Sequence, residues 1–273
     1  MLIVTGTKRS GTSLWMQLLI AAGFPAFGEA FPGEWRRTLG AANADGFYES
    51  LLREGVYHAT NPHPRTGDYF FPEQVEWHAV KVFVPGLVRT DRAFIGRVIA
   101  TVRSFRDYEA SLARLRGLES TARAADATAG TAREPPPELP AALEWWSENF
   151  ALVRDISIRR YPVHVQSYDG LLADPERTVT SVLGWLGRGD VQAACAQIRQ
   201  DRRHFNRPDS DSVDAETAAA FDDFYAALDA GKPLSVAFLE KLNETNEKLR
   251  PLYDEHRGRI LRHQEALAGA VKP

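Results

Sequence analysis

The apolar residues of this chain fall into short blocks that switch between a strand-like and a helix-like period. Leu2 to Val4 is a continuous apolar run that stops at a glycine-rich turn, and behind it Leu14, Leu18, Leu19 and Ala22 recur at helical spacing over Ser13 to Ala22. The pattern predicts strand, loop and helix in that order. Two further runs, "AVKVFV" over Ala79 to Val84 and "RVIATV" over Arg97 to Val102, are apolar and β-branched, as strands covered on both faces require. A fourth strand is expected at Val163 to Val165, after Tyr161-Pro162. Helical periodicity occupies Arg106 to Arg116, Leu143 to Arg160, Glu176 to Leu186 and Val191 to Gln200. Strands alternating with helices predict an α/β fold of three layers, α/β/α, around a central, mainly parallel sheet.

Two stretches depart from that alternation. Gly117 to Pro140 is rich in small polar residues and alanine and contains "EPPPELP"; it reads either as a mobile excursion over one edge of a site or as an inert surface loop. From Asp209 onward the blocks "FDDFYAAL" and "VAFLEKLNETNEKLRPLYDEH" predict a helical C-terminal region that Pro251 kinks or divides. Trp145 and Trp146 fall on a predicted helix and are expected in the core or an interface. With no internal repeat, residues 1–273 read as one domain.

Composition narrows the function classes. The chain is 44% hydrophobic and 25% charged, enough to bury a sizeable core. Its formal net charge of −3 gives no global attraction to nucleic acid or to an anionic membrane, so an anion site has to be built locally. The single cysteine, Cys195, excludes an intrachain disulfide and a cysteine metal cluster. No run approaches the roughly twenty apolar residues of a membrane span, and the first strand leads straight into the glycine loop without a signal-peptide pattern. A soluble, cytoplasmic protein is expected.

The loop itself, "TGTKRSGTSLW" from Thr5 to Trp15, keeps the glycine spacing of the phosphate-loop consensus G-x-x-x-x-G-K-[ST] in Gly6 and Gly11. Thr12 stands where that consensus has lysine, and the cations Lys8 and Arg9 lie inside the loop instead. A glycine loop between strand and helix aims backbone N–H groups and the positive helix end at one point, which suits a phosphate. A second patch, "VRSFRDYEASL" from Val102 to Leu112, ends a strand on Arg103 and carries Ser111 eight residues later on the following helix. An arginine at a strand's carboxyl end and a serine on the adjacent helix can converge on one phosphate. Two phosphate sites on one sheet point to a nucleotide phosphorylated at two positions.

These patches resemble the sulfotransferase family that uses 3′-phosphoadenosine 5′-phosphosulfate (PAPS). "TKRSGTSLW" is similar to the family's 5′-phosphosulfate loop, "VRSFRDYEASL" to its 3′-phosphate motif, and "VQSYDGLLADPERTVTSVLGWLG" to its tyrosine-acid-x-leucine-leucine segment. The resemblance covers Met1 to Leu186 and continues weakly through "IRQDRRHFNRP", where Arg202, Arg203 and His204 resemble a basic tail of bacterial members. It implies that Lys8, Arg9, Ser10, Gly11, Thr12 and Ser13 bind the phosphosulfate, with Lys8 or Arg9 meeting charge on the bridging oxygen. Arg103 and Ser111 would bind the 3′-phosphate, Arg202 and Arg203 would add to the cofactor site, and Tyr168 and Asp169 would brace the sheet edge. The implied reaction is in-line sulfuryl transfer, without a metal, to a hydroxyl or amine of a small-molecule, lipid or glycan acceptor, leaving adenosine 3′,5′-bisphosphate. A small-molecule kinase or NTPase, and a non-catalytic nucleotide-binding descendant of the fold, are the alternatives.

The proton acceptor is open at this point. Family members place a histidine two residues after a lysine on the strand matching "VKVFV", whereas here Lys81 is followed two positions on by Phe83, which leaves Lys81 as an electrophilic helper. Other members use a glutamate after the first helix, for which Glu29 in "FGEAF" and Glu49 in "NADGFYES" are the candidates. His58, His63 and His78 are weaker ones. The aromatics Phe24, Phe27, Phe31, Trp35, Phe47, Tyr48, Tyr69, Phe70 and Phe71 fall in the stretch that would cover the acceptor, or belong to the core.

Overall fold

The first apolar run is buried to the last atom, with Ile3 and Val4 at 0% exposure, because it forms the inner strand of a sheet covered on both faces. A computed structural model describes residues 1–126, 137–199 and 208–270. Its four strands are β1 (Leu2–Thr5), β2 (Ala79–Lys81), β3 (Arg97–Val102) and β4 (Val163–Ser167), all parallel and ordered β2-β1-β3-β4. The register sets Val4 against Lys81 on one side and against Ile99 on the other.

Side chains alternate between the two faces, as the pleat requires. Leu2, Val4 and Ile99 join a core with α1 (Thr12–Ala21), through Trp15, Leu18 and Leu19. On the opposite face Ile3, Val80, Val98 and Ala100 meet Leu87 and Leu152. The remaining helices are α2 (Trp35–Leu39), α3 (Val84–Arg89), α4 (Phe105–Asp126), α5 (Ala141–Arg159), α6 (Tyr168–Ala173), α7 (Pro175–Leu186), α8 (Val191–Cys195), α9 (Ala215–Asp229) and α10 (Val236–Ala270). The three-layer α/β/α architecture and the helical C-terminal region are as the pattern predicts. No helix among the described residues is long and apolar enough to cross a membrane.

Four features differ from the sequence pattern, two of them for a clear local reason. The second strand stops at Lys81 and Val84 opens α3, because Pro85, lacking an N–H, cannot extend a ladder but fits a helix start. The helix predicted to end at Arg116 continues to Asp126, so the excursion expected from Gly117 is helical over its first ten residues, where alanine, arginine, leucine and glutamate outweigh one glycine. The helix expected over Val191 to Gln200 closes at Cys195. Pro251 does not divide the C-terminal region, since α10 runs through it.

A third core cluster ties the C-terminal helices to the sheet. Phe221 and Phe224 of α9 pack on Trp145 and Trp146 of α5, with Phe221 and Trp146 stacked at 4.9 Å between ring centroids, and Leu242 and Leu249 of α10 close the same cluster. Large aromatics placed this way dominate burial energy. Phe221→Ala is therefore expected to lower the unfolding free energy by about 3–5 kcal/mol, as measured by urea denaturation. A loss under about 1 kcal/mol would mean that α9 is only loosely attached.

Candidate functional site

The chain leaves β1 through two glycines that no other residue can replace without rearrangement. At Gly6 (φ 152°) an added Cβ would lie 2.2 Å from the carbonyl oxygen of Thr101, and at Gly11 (φ 102°) it would lie 2.6 Å from the ring of Tyr168. Between them the loop is fastened to itself and to β3. The Ser10 hydroxyl donates to the Thr7 carbonyl at 2.7 Å, and the Thr101 hydroxyl donates to the Ser10 carbonyl at 2.7 Å. Arg9 is held at φ 66°, a left-handed conformation that costs a non-glycine residue energy and recurs at binding sites. Gly11 precedes α1 and no side chain caps that helix, so Thr12 and Ser13 enter the cleft beside uncapped first-turn N–H groups.

The strand order puts this loop at the point where connections diverge, because β1 has β2 on one side and β3 on the other. Ligands of open parallel sheets bind outside the strands' carboxyl ends at such a switch point. Arg103 sits there too, one residue beyond β3, and the Trp145 indole N–H donates to its carbonyl at 2.7 Å. Its guanidinium donates to the Arg9 carbonyl at 3.2 Å and lies 4.9 Å over the ring of Tyr168, while its Nε is buried with no hydrogen-bond partner. Tyr168 thus lines the cleft as well as bracing the sheet edge, and Asp169 accepts from the Tyr225 hydroxyl at 2.7 Å.

Arg9 joins the two sequence patches. Its Nε donates to the Ser111 hydroxyl at 3.1 Å and its Nη2 to the Ala42 carbonyl at 2.9 Å, so the side chain leans towards the Arg103 and Ser111 pair. Burial, and then the nearby Arg103 charge, hold the Arg9 guanidinium below its ordinary proton affinity. Lys8 is half-exposed, with its ammonium 3.6 Å from Glu144 of α5.

Of the two candidate glutamates only one faces the cleft. Their backbones are bonded to each other, Glu29 N–H to the Glu49 carbonyl at 3.0 Å and the reverse at 3.1 Å, yet Glu29 is exposed and lies outside the cleft. Glu49 is 6% exposed and accepts from Lys81 at 2.7 Å, while Lys81, 5% exposed, also donates to the Phe47 carbonyl and the Ser13 hydroxyl. Burial lowers the Lys81 proton affinity and Glu49 opposes that shift. His58, His63 and His78 line no part of the cleft; His63 Nδ1 accepts backbone N–H bonds in a turn and His78 lies against Phe27. Of the aromatics that would cover the acceptor, Trp35 and Phe47 reach the cleft, whereas Phe27 and Phe70 stack on each other. Arg202 and Arg203 lie outside the described residues.

The cleft measures about 1050 Å³, the size of a nucleotide-scale site. One wall carries a group that sequence reasoning missed, Glu148 of α5, one helical turn beyond Glu144 and lining the same space. Its Oε2 is buried without a hydrogen-bond partner. The readable signal was "EWWSENF", in which two glutamates at i,i+4 flank a buried tryptophan pair and share one helix face. Neither a protein-family model nor a curated protein matches this chain.

The Lys81 and Glu49 pair is a buried ion pair, so removing one partner strands the other charge. Lys81→Met is expected to cost about 3–5 kcal/mol in urea unfolding, and the double change Lys81→Met with Glu49→Leu to recover most of it. A single variant within about 1 kcal/mol of the parent would show that water reaches the pair.

Proposed function

We propose that the chain is a sulfotransferase that moves a sulfuryl group from PAPS to a hydroxyl or amine. The observation that carries this reading is the junction of Arg9, Arg103 and Ser111 at the carboxyl ends of β1 and β3. Two guanidiniums meet there beside an uncapped helix start, neither bonded to a carboxylate among the described residues, and the buried Arg103 Nε lacks a partner. An anion with two separated phosphates satisfies both halves of that arrangement.

The residues present fit such a nucleotide. The uncapped N–H groups before Thr12 and Ser13, with the hydroxyls of those residues, suit the 5′-phosphosulfate; Arg103 and the Ser111 hydroxyl suit the 3′-phosphate. PAPS supplies a sulfuryl group that is already activated. The chain's own part is to fix the phosphates and to bring cations to the oxygen that leaves. Lys8, half-exposed and 3.6 Å from Glu144, can exchange that weak pairing for an anionic oxygen, and Arg9 is anchored within the same loop. The Mg²⁺-dependent alternative needs a lysine after Gly11 to reach the outer phosphates, and Thr12 is there instead.

Adenosine 3′,5′-bisphosphate is expected to raise the Tm more than ATP with Mg²⁺ at equal concentration, because a ligand selective for the native state stabilises it in proportion to its affinity. The opposite order would favour the kinase reading. Arg103→Ala is expected to weaken bisphosphate binding about 10- to 100-fold by calorimetry, through loss of a cation and its hydrogen bonds, and Ser111→Ala about 5- to 10-fold, through loss of a single hydroxyl donor. Unchanged affinity in both variants would remove the two-phosphate site.

A further inference from the structure

Sulfuryl transfer to a neutral acceptor needs a group that takes the acceptor's proton, and the carboxylates around the cleft are not equivalent. Glu29 is exposed and outside it. Glu49 lines it between two cations, with Lys81 at 2.7 Å from Oε1 and Arg53 at 4.0 Å from Oε2, so a proton arriving there would undo a buried ion pair. Glu144 is likewise engaged, by Lys8 at 3.6 Å and by Arg116 at 3.4 Å. The buried Oε2 atoms of Glu49 and Glu148 both accept no hydrogen bond, but Glu148 alone of the two has no ion pair among the described residues. Leaving a buried acceptor unpaired costs on the order of 1–3 kcal/mol, a cost that a proton-accepting role would explain.

Its position is right for such a role. Glu148 lies on the cleft-facing side of α5, one turn from Glu144, whose carboxylate is within 3.6 Å of Lys8 in the glycine loop. We propose that Glu148 is the catalytic base of this site, a role that rests on the sulfuryl-transfer reading above. The acceptor O–H or N–H gives its proton to Oε2 of Glu148 while the acceptor lone pair forms the bond to sulfur. The bond between sulfur and the bridging phosphate oxygen breaks, and its electron pair departs on adenosine 3′,5′-bisphosphate. Glu148 then returns the proton to solvent.

The surroundings tune the carboxyl for this task. Burial, and then the Glu144 charge, push Glu148 up to about 8, with Lys8 opposing. Tyr108 approaches the pair from α4, where burial, Glu144 and Glu148 push its phenol far above the neutral range, so it stays protonated. A carboxylate of this basicity is a far better proton acceptor near neutral pH than an ordinary one. Since the value is raised, the reactive anion predominates above about pH 8 and is lost as pH falls below it.

The test has an arm that needs no turnover. Infrared difference spectra between pH 6 and pH 10 are expected to show a protonated carboxyl that ionises near pH 8 in the wild type and is missing in Glu148→Gln; a Glu148 already ionised at pH 6 overturns the assignment. Bisphosphate affinity in Glu148→Gln is expected to match the wild type, and a large loss there would make Glu148 a nucleotide contact instead. The turnover arm follows release of adenosine 3′,5′-bisphosphate from PAPS with 2-naphthol, with 4-nitrophenol and with water alone. Glu148→Gln is expected to slow transfer to 2-naphthol about 100-fold and to abolish its rise through pH 8, with a smaller loss for the more acidic 4-nitrophenol. An unchanged rate and pH profile in a bisphosphate-binding, PAPS-consuming protein overturns the base alone. A wild type that neither binds the bisphosphate nor consumes PAPS overturns the sulfuryl-transfer reading and the base with it.

Discussion

Two arginines held close together in a partly buried cleft are the constraint around which the rest of this molecule is arranged. Like charges repel more strongly as water is removed, and nothing anionic among the described residues is bonded to either guanidinium. The fold tolerates this because both are fixed by uncharged groups: Arg9 by the Ser111 hydroxyl and the Ala42 carbonyl, Arg103 by the Arg9 carbonyl and the face of Tyr168. The backbone of Arg103 is fixed in turn by the Trp145 indole, whose ring belongs to the aromatic cluster of α5 and α9. A C-terminal helix far along the chain thereby supports the arginine pair beside the first loop.

The part of this arrangement visible in the sequence was the part written locally. Strand β1, its glycines, and the interval between Arg103 and Ser111 each occupy a window of about a dozen residues, and the physics that shapes them acts within that window. The ends of elements were less legible, since they turn on single competitions: Pro85 against a continuing strand, or helix-forming residues against Gly117. Glu29 and Glu49 illustrate the harder limit. Both are glutamates in loops after the first helix, and they are bridged backbone to backbone, yet one side chain meets Lys81 and the other meets water. Only the parallel pairing of β2 with β1, which brings Lys81 level with Val4, separates them.

Glu148 was legible only as one of two glutamates sharing a helix face in "EWWSENF", and its surroundings were hidden for the same reason in a stronger form. On a helix whose neighbours Trp145, Trp146 and Asn149 are buried, a glutamate reads as the solvent-facing position of an amphipathic segment. What makes it unusual is its company: Glu144 on its own helix, Tyr108 from α4 and Lys8 from the glycine loop. These come from three separate parts of the chain. A perturbed titrating group is a property of such a meeting, which no single window contains.

The loop's departure from the nucleotide-phosphate consensus follows from the same geometry. In that consensus the lysine leaves the first turn of the helix and reaches over the phosphates, and magnesium carries much of the remaining charge. Here the corresponding position is Thr12, and positive charge enters instead from inside the loop and from the neighbouring strand, through Lys8, Arg9 and Arg103. Glu144 and Glu148 line the same cleft, with Glu144 only 3.6 Å from Lys8. On the sulfuryl-transfer reading proposed above, an anionic donor would draw Lys8 from Glu144 and leave the two carboxylates of α5 beside whatever acceptor enters. Under that reading the donor must carry two anionic groups and the acceptor a proton to lose, which is a tighter requirement than the glycine spacing alone could impose.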